Sequence, residues 1–472
     1  MDFARASPMF ACAPHTLACA SHTLACASHT LACASPSHHP ITYSYHPVFF
    51  YHPVLSTMSK HPILIAFGGI SPEHEVSVLT ALQAKAALEP TGHPLLPLYI
   101  SKSGQWFTGA PLFDLESYKD LSKLEQTATS CAFAVDHDGR TVLREESKGL
   151  FHRPKSHAID CVLVAFHGSS GENGAFQGVC EQFNLPYTGS DVASSAIGMD
   201  KIRTKQLCRQ AGIPVVDDVP IREDDWIADA PAILAAIRAL DYPVIIKPAR
   251  LGSSIGVHRC TNDEESEAAI EDTFRYDEWI LAEKAIHPLT EINCSVMGTP
   301  ENPQASVCEQ PLGTTTHLTF QDKYQSQRGK GMASADRIIP ANIPDELAAA
   351  IQSSAKTIFQ TLGASGISRL DFLLQTDTNT FYFNEINTIP GSFSFYLWKE
   401  SGISFDQLLL ENLRIAKLQH QKRTGRVRSY ETNLLSEKAA SGIKGLKGAK
   451  GLKGTQSTQA SKNIHTPTGG SS

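Results

Sequence analysis

The 472-residue chain contains no apolar run approaching the roughly 20 residues that a helix needs to cross a bilayer. Its longest apolar stretches, such as Cys161 to Phe166, have the length of buried strands. No membrane association is expected. Charge of one sign is not in strong excess either: 41 Lys and Arg against 48 Asp and Glu leave a net −7, which gives no reason to expect nucleic acid as a partner. Paired cysteines are also missing. Of eleven, Cys12, Cys19, Cys26 and Cys33 lie in an N-terminal repeat region. The other seven, Cys131, Cys161, Cys180, Cys208, Cys260, Cys294 and Cys308, are scattered, with no C-x-x-C pair and no His/Cys cluster of ligand spacing. Several sit in apolar stretches, where a reduced thiol behaves as a small hydrophobe, so a reducing, cytoplasmic setting is expected.

Both ends lack the alternation of a folded domain. The unit His-Thr-Leu-Ala-Cys-Ala-Ser begins at His15, His22 and His29. It has no heptad charges for a coiled coil and no basic stretch before a continuous apolar core for a signal peptide. Residues 1–59 are expected to be low-complexity and disordered, with a metal-binding His/Cys tract as the lesser reading. Met58, just before a strong strand signal, is an alternative start. At the other end Gly442, Gly445, Gly448, Gly451 and Gly454 recur every third residue without the proline of collagen, so 422–472 is expected to be a solvated basic tail.

Between these ends, 42% hydrophobic composition is enough for two or three packed modules. Strands are expected at Pro62 to Phe67, Cys161 to Phe166 and Pro243 to Lys247, with a helix through Leu88 and an amphipathic helix over Glu346 to Leu362. The chain is α/β.

Four stretches carry chemistry. In Phe67-Gly-Gly-Ile-Ser-Pro-Glu-His-Glu-Val-Ser77, Ser71 as N-cap and Pro72 at N1 predict a helix starting at the carboxyl end of a strand. That crevice is where open α/β sheets hold ligands, and Glu73 would project over it. Alternatively, Glu73 and Glu75 only complement the helix dipole. A Gly-rich turn, His167-Gly-Ser-Ser-Gly-Glu-Asn-Gly174, follows another strand with an imidazole at its mouth. Lys247-Pro-Ala-Arg-Leu-Gly-Ser-Ser-Ile-Gly256 ends a strand with a lysine and continues as a Gly/Ser loop. Small residues let backbone N–H groups approach a phosphate, and the lysine adds a point charge. The order, lysine first, is not that of a Walker A loop.

The fourth stretch pairs Gly366 to Leu374 with Phe381 to Asn387 about a turn at Thr376 to Thr380. A hairpin centred on Thr378 puts Asp371 opposite Glu385, with Arg369 and Asn387 on the same face. Opposed carboxylates repel unless a cation lies between them, and Asp, Glu and Asn oxygens suit Mg2+. A structural ion pair with Arg369 is the alternative.

These stretches, with LPYTGS at 185–190, MDK-x-x-x-K at 199–205, EK at 283–284, KY at 323–324, SRLDF at 368–372 and NEINTIPG at 384–391, resemble in order the D-alanine-D-alanine ligases of the ATP-grasp superfamily. The resemblance spans roughly 60 to 415. It implies a three-domain ATP-grasp architecture with an N-terminal open α/β, Rossmann-like domain: 60–190 for substrate, 191–286 and 287–421 as the central and C-terminal ATP-grasp domains. It implies a cytoplasmic enzyme, a homodimer through the N-terminal domain, acting in peptidoglycan precursor synthesis. One D-alanine carboxylate attacks ATP to give an acylphosphate, and the amine of the second D-alanine attacks that carbonyl.

By the same resemblance Lys201 and Lys247 hold phosphates, Glu283, Ile286 and Glu291 grip adenine and ribose with Ala285 beside them, Lys323 also binds the nucleotide, and Asp371, Glu385 and Asn387 bind two Mg2+ ions, for which Mn2+ can stand. Glu73 holds the first ammonium beside His167, Glu73, Ser253 and Tyr324 form a network under a lid over Gly313 to Gly331, and Arg369 with the N–H of Gly391 stabilises the oxyanion. One position departs from the family. Where a serine commonly touches the second substrate's carboxylate, this chain has Tyr396, which leaves D-serine or D-lactate open as second substrate. A non-catalytic ATP-binding module is the remaining alternative, against which the lysines and metal ligands are all present.

Overall fold

The structure is a computed structural model that describes residues 59–147, 154–312 and 337–429, with Thr432 and Leu435. The N-terminal repeat, most of the basic tail, Lys323, Tyr324 and the Gly313 to Gly331 stretch lie outside the described residues.

Three sheets carry the chain. The first has seven strands in the spatial order Ser156–Ala158, Thr141–Glu145, Thr129–Val135, Trp106–Thr108, Leu95–Ile100, Ile63–Gly68, Cys161–Val164. Ile63–Gly68 is buried along its whole length and pairs in parallel with Leu95–Ile100 and Cys161–Val164. Burial on both faces explains why it is an unbroken apolar run instead of an alternating one. The helix His74–Leu88 makes the crossover that a parallel pair requires. The other strands extend this open α/β sheet in antiparallel fashion.

The second sheet orders His258–Cys260, Val244–Pro248, Trp279–Lys284 and Asp218–Arg222, and the third orders Arg337–Ile338, Asn302–Pro311, Leu289–Thr299, Gly366–Gln375 and Thr380–Asn387, all antiparallel. The helix Asp345–Thr361 lays Ile351, Ala355, Ile358 and Phe359 against Ile292, Phe372 and Phe383 of the third sheet, the core that fixes its buried face. The opposite face is thereby left for polar residues. A cleft lies between the second and third sheets, about 860 Å³ when the open solvent at its edge is counted in. An open α/β sheet followed by two antiparallel sheets around a cleft is the ATP-grasp architecture.

Two local expectations need correction. The first helix starts at His74, not at Ser71, because Ser71 closes a turn: its hydroxyl accepts from Glu73 N at 3.1 Å and donates to the His167 carbonyl at 2.8 Å. Glu73 thus occupies the N-cap position, with its side chain making no capping bond and directed elsewhere. The hairpin after Gln375 is centred between Asp377 and Thr378, since Gln375 pairs with Thr380 and Phe372 with Phe383. No helix among the described residues is long and apolar enough to cross a membrane. The seven described cysteines are all free and buried.

Candidate functional site

The strand end at Gly68 is tied down by Ser77, whose hydroxyl accepts the Gly68 N–H at 2.8 Å and donates to the Ala165 carbonyl of the neighbouring strand. That bond aims the turn over the sheet edge, and Glu73 lands against the Gly/Ser loop, where Ser253 donates to its Oε1. Gly168 packs on the other side. A Cβ there would lie 2.5 Å from Glu73 Oε2 and 2.7 Å from Ser71 Oγ, and its φ of +65° is one that side chains rarely adopt. Glu73, Ser253 and the Gly-rich turn, apart in sequence, come together in one wall of side chains. Tyr324, the expected third member of this network, is outside the described residues.

His167 sits beneath this wall and faces the Thr388 to Ser394 loop. Its Nε2 is 2.8 Å from Thr80 Oγ1, and that oxygen accepts the Ser392 N–H at 3.2 Å. The ring also bonds the Ile389 backbone in the sense that favours a ring N–H as donor, and with that proton on Nδ1 the Nε2 atom accepts from the Thr80 hydroxyl. Burial pushes the imidazole down to about 4, so it is neutral at pH 7. Glu172, in the same Gly-rich stretch, accepts Gly168 N–H at 3.0 Å on one oxygen and Ile389 N–H at 3.2 Å on the other. Burial, with Glu73 close by, pushes its carboxyl up to about 7. These bonds hold the loop that begins with Gly391 and continues through three left-handed residues, Ser392, Phe393 and Ser394, at φ 51°, 54° and 50°. Such a turn costs about 1–2 kcal/mol per residue, offset here by the bonds to Thr80 and by Ser392 Oγ to Gln83 at 2.5 Å. The sequence reading gave Glu172 no role, though its motif contained it.

Lys201, Lys247, Glu283, Ala285, Ile286, Glu291, Asp371 and Glu385 all line the cleft between the two antiparallel sheets. Lys201 Nζ donates to the Leu251 carbonyl at 2.8 Å and lies 3.2 Å from Glu385. Lys247 Nζ lies 2.8 Å from Glu283 and donates to Asn384 Oδ1 at 2.9 Å. Glu283 also takes Lys205, and the two ammoniums outweigh the upward push of burial to hold its carboxyl at about 2. Two lysines and a polar edge beside apolar Ile245, Leu251 and Phe372 suit a nucleotide.

Asp371 does face Glu385, and Arg369 faces Asn387. The turn alone would pair Asp371 with Asn384; a one-residue bulge between Asp371 and Phe372 opposes Asn384 and Glu385 to the single Asp371. Arg369 grips Asp371 through two bonds of 2.7 Å, and Asn387 Nδ2 donates to it at 3.2 Å. The ion-pair alternative is thus realised, with Lys201 on Glu385 as well. It leaves part of the carboxylate for a cation: of about four lone-pair positions, Asp371 spends three on Arg369 and Asn387. Among the described residues no group of three His, Cys, Asp or Glu is placed for a metal, and the expected set holds two carboxylates and an amide. The two carboxylates, 15% and 22% exposed, line the cleft, while Asn387 is not among its lining residues and stands beside Asp371; oxygen donors of this kind fit Mg2+ carried in by phosphates.

Tyr396 is buried at 9% exposure. Its hydroxyl donates to Glu309 Oε1 at 3.1 Å, and the Arg337 guanidinium lies 3.9 Å over its ring while bonding Glu309 Oε2 at 2.8 Å. Sequence reading missed Glu309 and Arg337, because only the sheet register brings them to Tyr396.

Family models described as D-ala D-ala ligase N-terminus and D-ala D-ala ligase C-terminus match residues 62–190 and 207–414. A D-alanine--D-alanine ligase of Thermosipho melanesiensis is 39% identical over 79% of this chain and 98% of its own length. One of Geobacillus thermodenitrificans is 33% identical over 77% and 97%. Among solved structures, the D-alanine-D-alanine ligase from Coxiella burnetii covers 81% of this chain and 99% of its own at 26% identity and TM-score 0.65. A D-Ala:D-Ser ligase from Enterococcus faecalis covers 76% and 100% at 28% identity and TM-score 0.63. With both models matched in order and relatives covered almost end to end, the chain belongs to the D-alanine-D-alanine ligase family, whose enzymes use ATP and Mg2+.

Proposed function

We propose that this site joins two D-alanines into D-alanyl-D-alanine at the expense of ATP, for peptidoglycan precursor synthesis, with the residues above in the following roles. The observation that carries the reading is the opposed pair Asp371 and Glu385 at the mouth of a cleft floored by Lys201 and Lys247. Both steps build negative charge between anions, so positioning and electrostatics do most of the work. Lys201 and Lys247 place the phosphates. Asp371, Glu385 and Asn387 would hold Mg2+, which neutralises phosphate charge when bound. Glu73 takes the ammonium of the first D-alanine, held in place by Ser253. Arg369 and the Gly391 N–H receive the oxyanion of the second step.

Neutral His167 is a hydrogen-bonding brace for the Gly391 loop and not a charge for the substrate. The reading includes a cytoplasmic homodimer, tested by light scattering of the purified full chain. The main test is incubation with ATP, Mg2+ and a panel of D-amino and D-hydroxy acids, reading ADP and product mass. Absence of D-alanine-dependent ADP release overturns it.

One observation favours a second reading, in which D-serine or D-lactate takes the second place. Tyr396 turns its hydroxyl to Glu309, so the hydrogen bond a serine gives a second carboxylate is supplied differently here. The product masses in the same panel separate the two.

A further inference from the structure

Lys205 closes the Met199-Asp-Lys-x-x-x-Lys205 stretch, yet the scheme above gives it nothing to do. It lies one helical turn after Lys201 on the helix Lys201–Gln210, so both side chains leave the same face. Lys201 reaches the cleft. Lys205 stops beneath it, with a side chain 0% exposed, bonded to Glu283 Oε1. The other oxygen of Glu283 takes Lys247 at 2.8 Å, and Lys247 spends a second donor on Asn384. Glu283 is itself 3% exposed, so the three charges act on one another with little help from water.

The charge count decides what this arrangement does. One carboxylate between two ammoniums leaves a net single positive charge. Had Glu283 only Lys247 as partner, the pair would be neutral, and the pull of Lys247 on a phosphate would be largely cancelled by a carboxylate 2.8 Å away. We propose that Lys205 is a positioning residue that neutralises Glu283 from below, so that Lys247 keeps its charge for the phosphates of the nucleotide. The proposal rests on the reading of this cleft as the ATP site.

The protonation states agree with that geometry. Burial lowers the Lys205 ammonium to about 8 against the pull of Glu283, with Lys247 lowering it and Asp218 raising it further, so it is charged at pH 7. A purely structural salt bridge would affect folding, and would weaken every ligand of the cleft alike.

The test is calorimetric binding of adenosine and of ATP with Mg2+ to the full-length protein, without D-alanine, for wild type, Lys205→Met, Glu283→Gln and the double variant. The quantity read is the ratio of ATP to adenosine affinity, in which any loss of adenine contacts at Glu283 cancels. Lys205→Met makes the cluster neutral, and the ratio falls about tenfold, the weight of one charge-assisted contact. Adding Glu283→Gln restores the single positive charge, and the ratio returns to within about twofold of wild type. Glu283→Gln alone raises it. An unchanged ratio in Lys205→Met, or a double variant that stays as low, overturns the proposal. Should Lys205→Met not fold, Glu283→Gln decides alone, and a ratio at or below wild type overturns it. Wild-type protein that binds no ATP defeats the nucleotide reading itself, an outcome distinct from an unaltered ratio.

Discussion

Asp371 and Glu385 stand directly opposite each other on neighbouring antiparallel strands, and the one-residue bulge at Asn384 puts them there. Arg369 on one and Lys201 on the other keep two carboxylates from repelling each other across the ladder. The same bulge delivers Asn384 to Lys247, so one irregularity serves the metal pair and the phosphate lysine together.

Asp371→Asn is isosteric and removes one of the two carboxylates that would hold Mg2+. D-alanine-dependent ADP release is expected to fall about a hundredfold or more, with Mn2+ affinity in the presence of ADP falling in parallel. The melting temperature should move little, since Glu385 loses a like-charged neighbour while Arg369 loses its partner. Wild-type turnover in this variant would remove Asp371 from the metal site.

Glu172 and His167 make opposite contributions to stability against pH. The folded Glu172 carboxyl, pushed up to about 7 from 4.5, binds its proton more tightly than the unfolded chain does. Its contribution is therefore fully present below about 4.5 and is lost as pH rises to about 7. His167, pushed down to about 4 from 6.5, contributes stability above 6.5 that is lost as pH falls toward 4. In wild type the two slopes partly cancel. Glu172→Gln removes one, so its melting temperature should gain on wild type as pH rises from 4.5 to 7. A difference that stays flat over that window would show that Glu172 does not titrate there.

Much of this site was legible because it depends on short-range spacing. A period of two along Gly366 to Leu374 placed Arg369 and Asp371 on one face, and the strand-to-helix turn placed Glu73 at a sheet edge. Even the pairing of Asp371 with Glu385 came out right for an incomplete reason: the hairpin is centred half a residue earlier, and the bulge makes up the difference. What sequence did not yield was set by distant register and burial. Glu309 reaches Tyr396 only because Asn293 lies between Asp371 and Glu309 across three strands. Lys205 and Glu172 stood within recognised motifs, but that one lies under the cleft and the other bridges Gly168 to Ile389 is a matter of packing. The helix begins two residues later than Ser71 and Pro72 imply: Ser71 Oγ accepts the Glu73 N–H as a cap would, but the Ser71 carbonyl closes a separate turn on His74 N before the helix starts.

Gly168→Ala tests the wall behind Glu73. The added methyl would meet Glu73 Oε2 at 2.5 Å on a backbone of positive φ, so the Glu73 carboxylate must leave the position in which Ser253 bonds it. The KM for the first D-alanine should rise more than about tenfold, while ATP affinity, set mainly by Lys201 and Lys247 farther along the same cleft, stays within about twofold. Equal losses for both substrates would point to a general distortion of the site instead.

Tyr396→Phe asks whether the phenol serves the substrate or the protein. Its hydroxyl donates to the buried carboxylate of Glu309, which Asn293 and Arg337 also bond. Loss of a hydrogen bond to a charged group costs about 1.5–3 kcal/mol, so the variant should be less stable by that order in urea unfolding. The ring and the Arg337 guanidinium above it remain, and the wall they form keeps its shape. The KM for the second D-alanine should therefore change less than about threefold. A rise above about tenfold, with stability unaltered, would mean that the hydroxyl leaves Glu309 to meet the second carboxylate, and Tyr396 would then be the direct replacement for the family's serine.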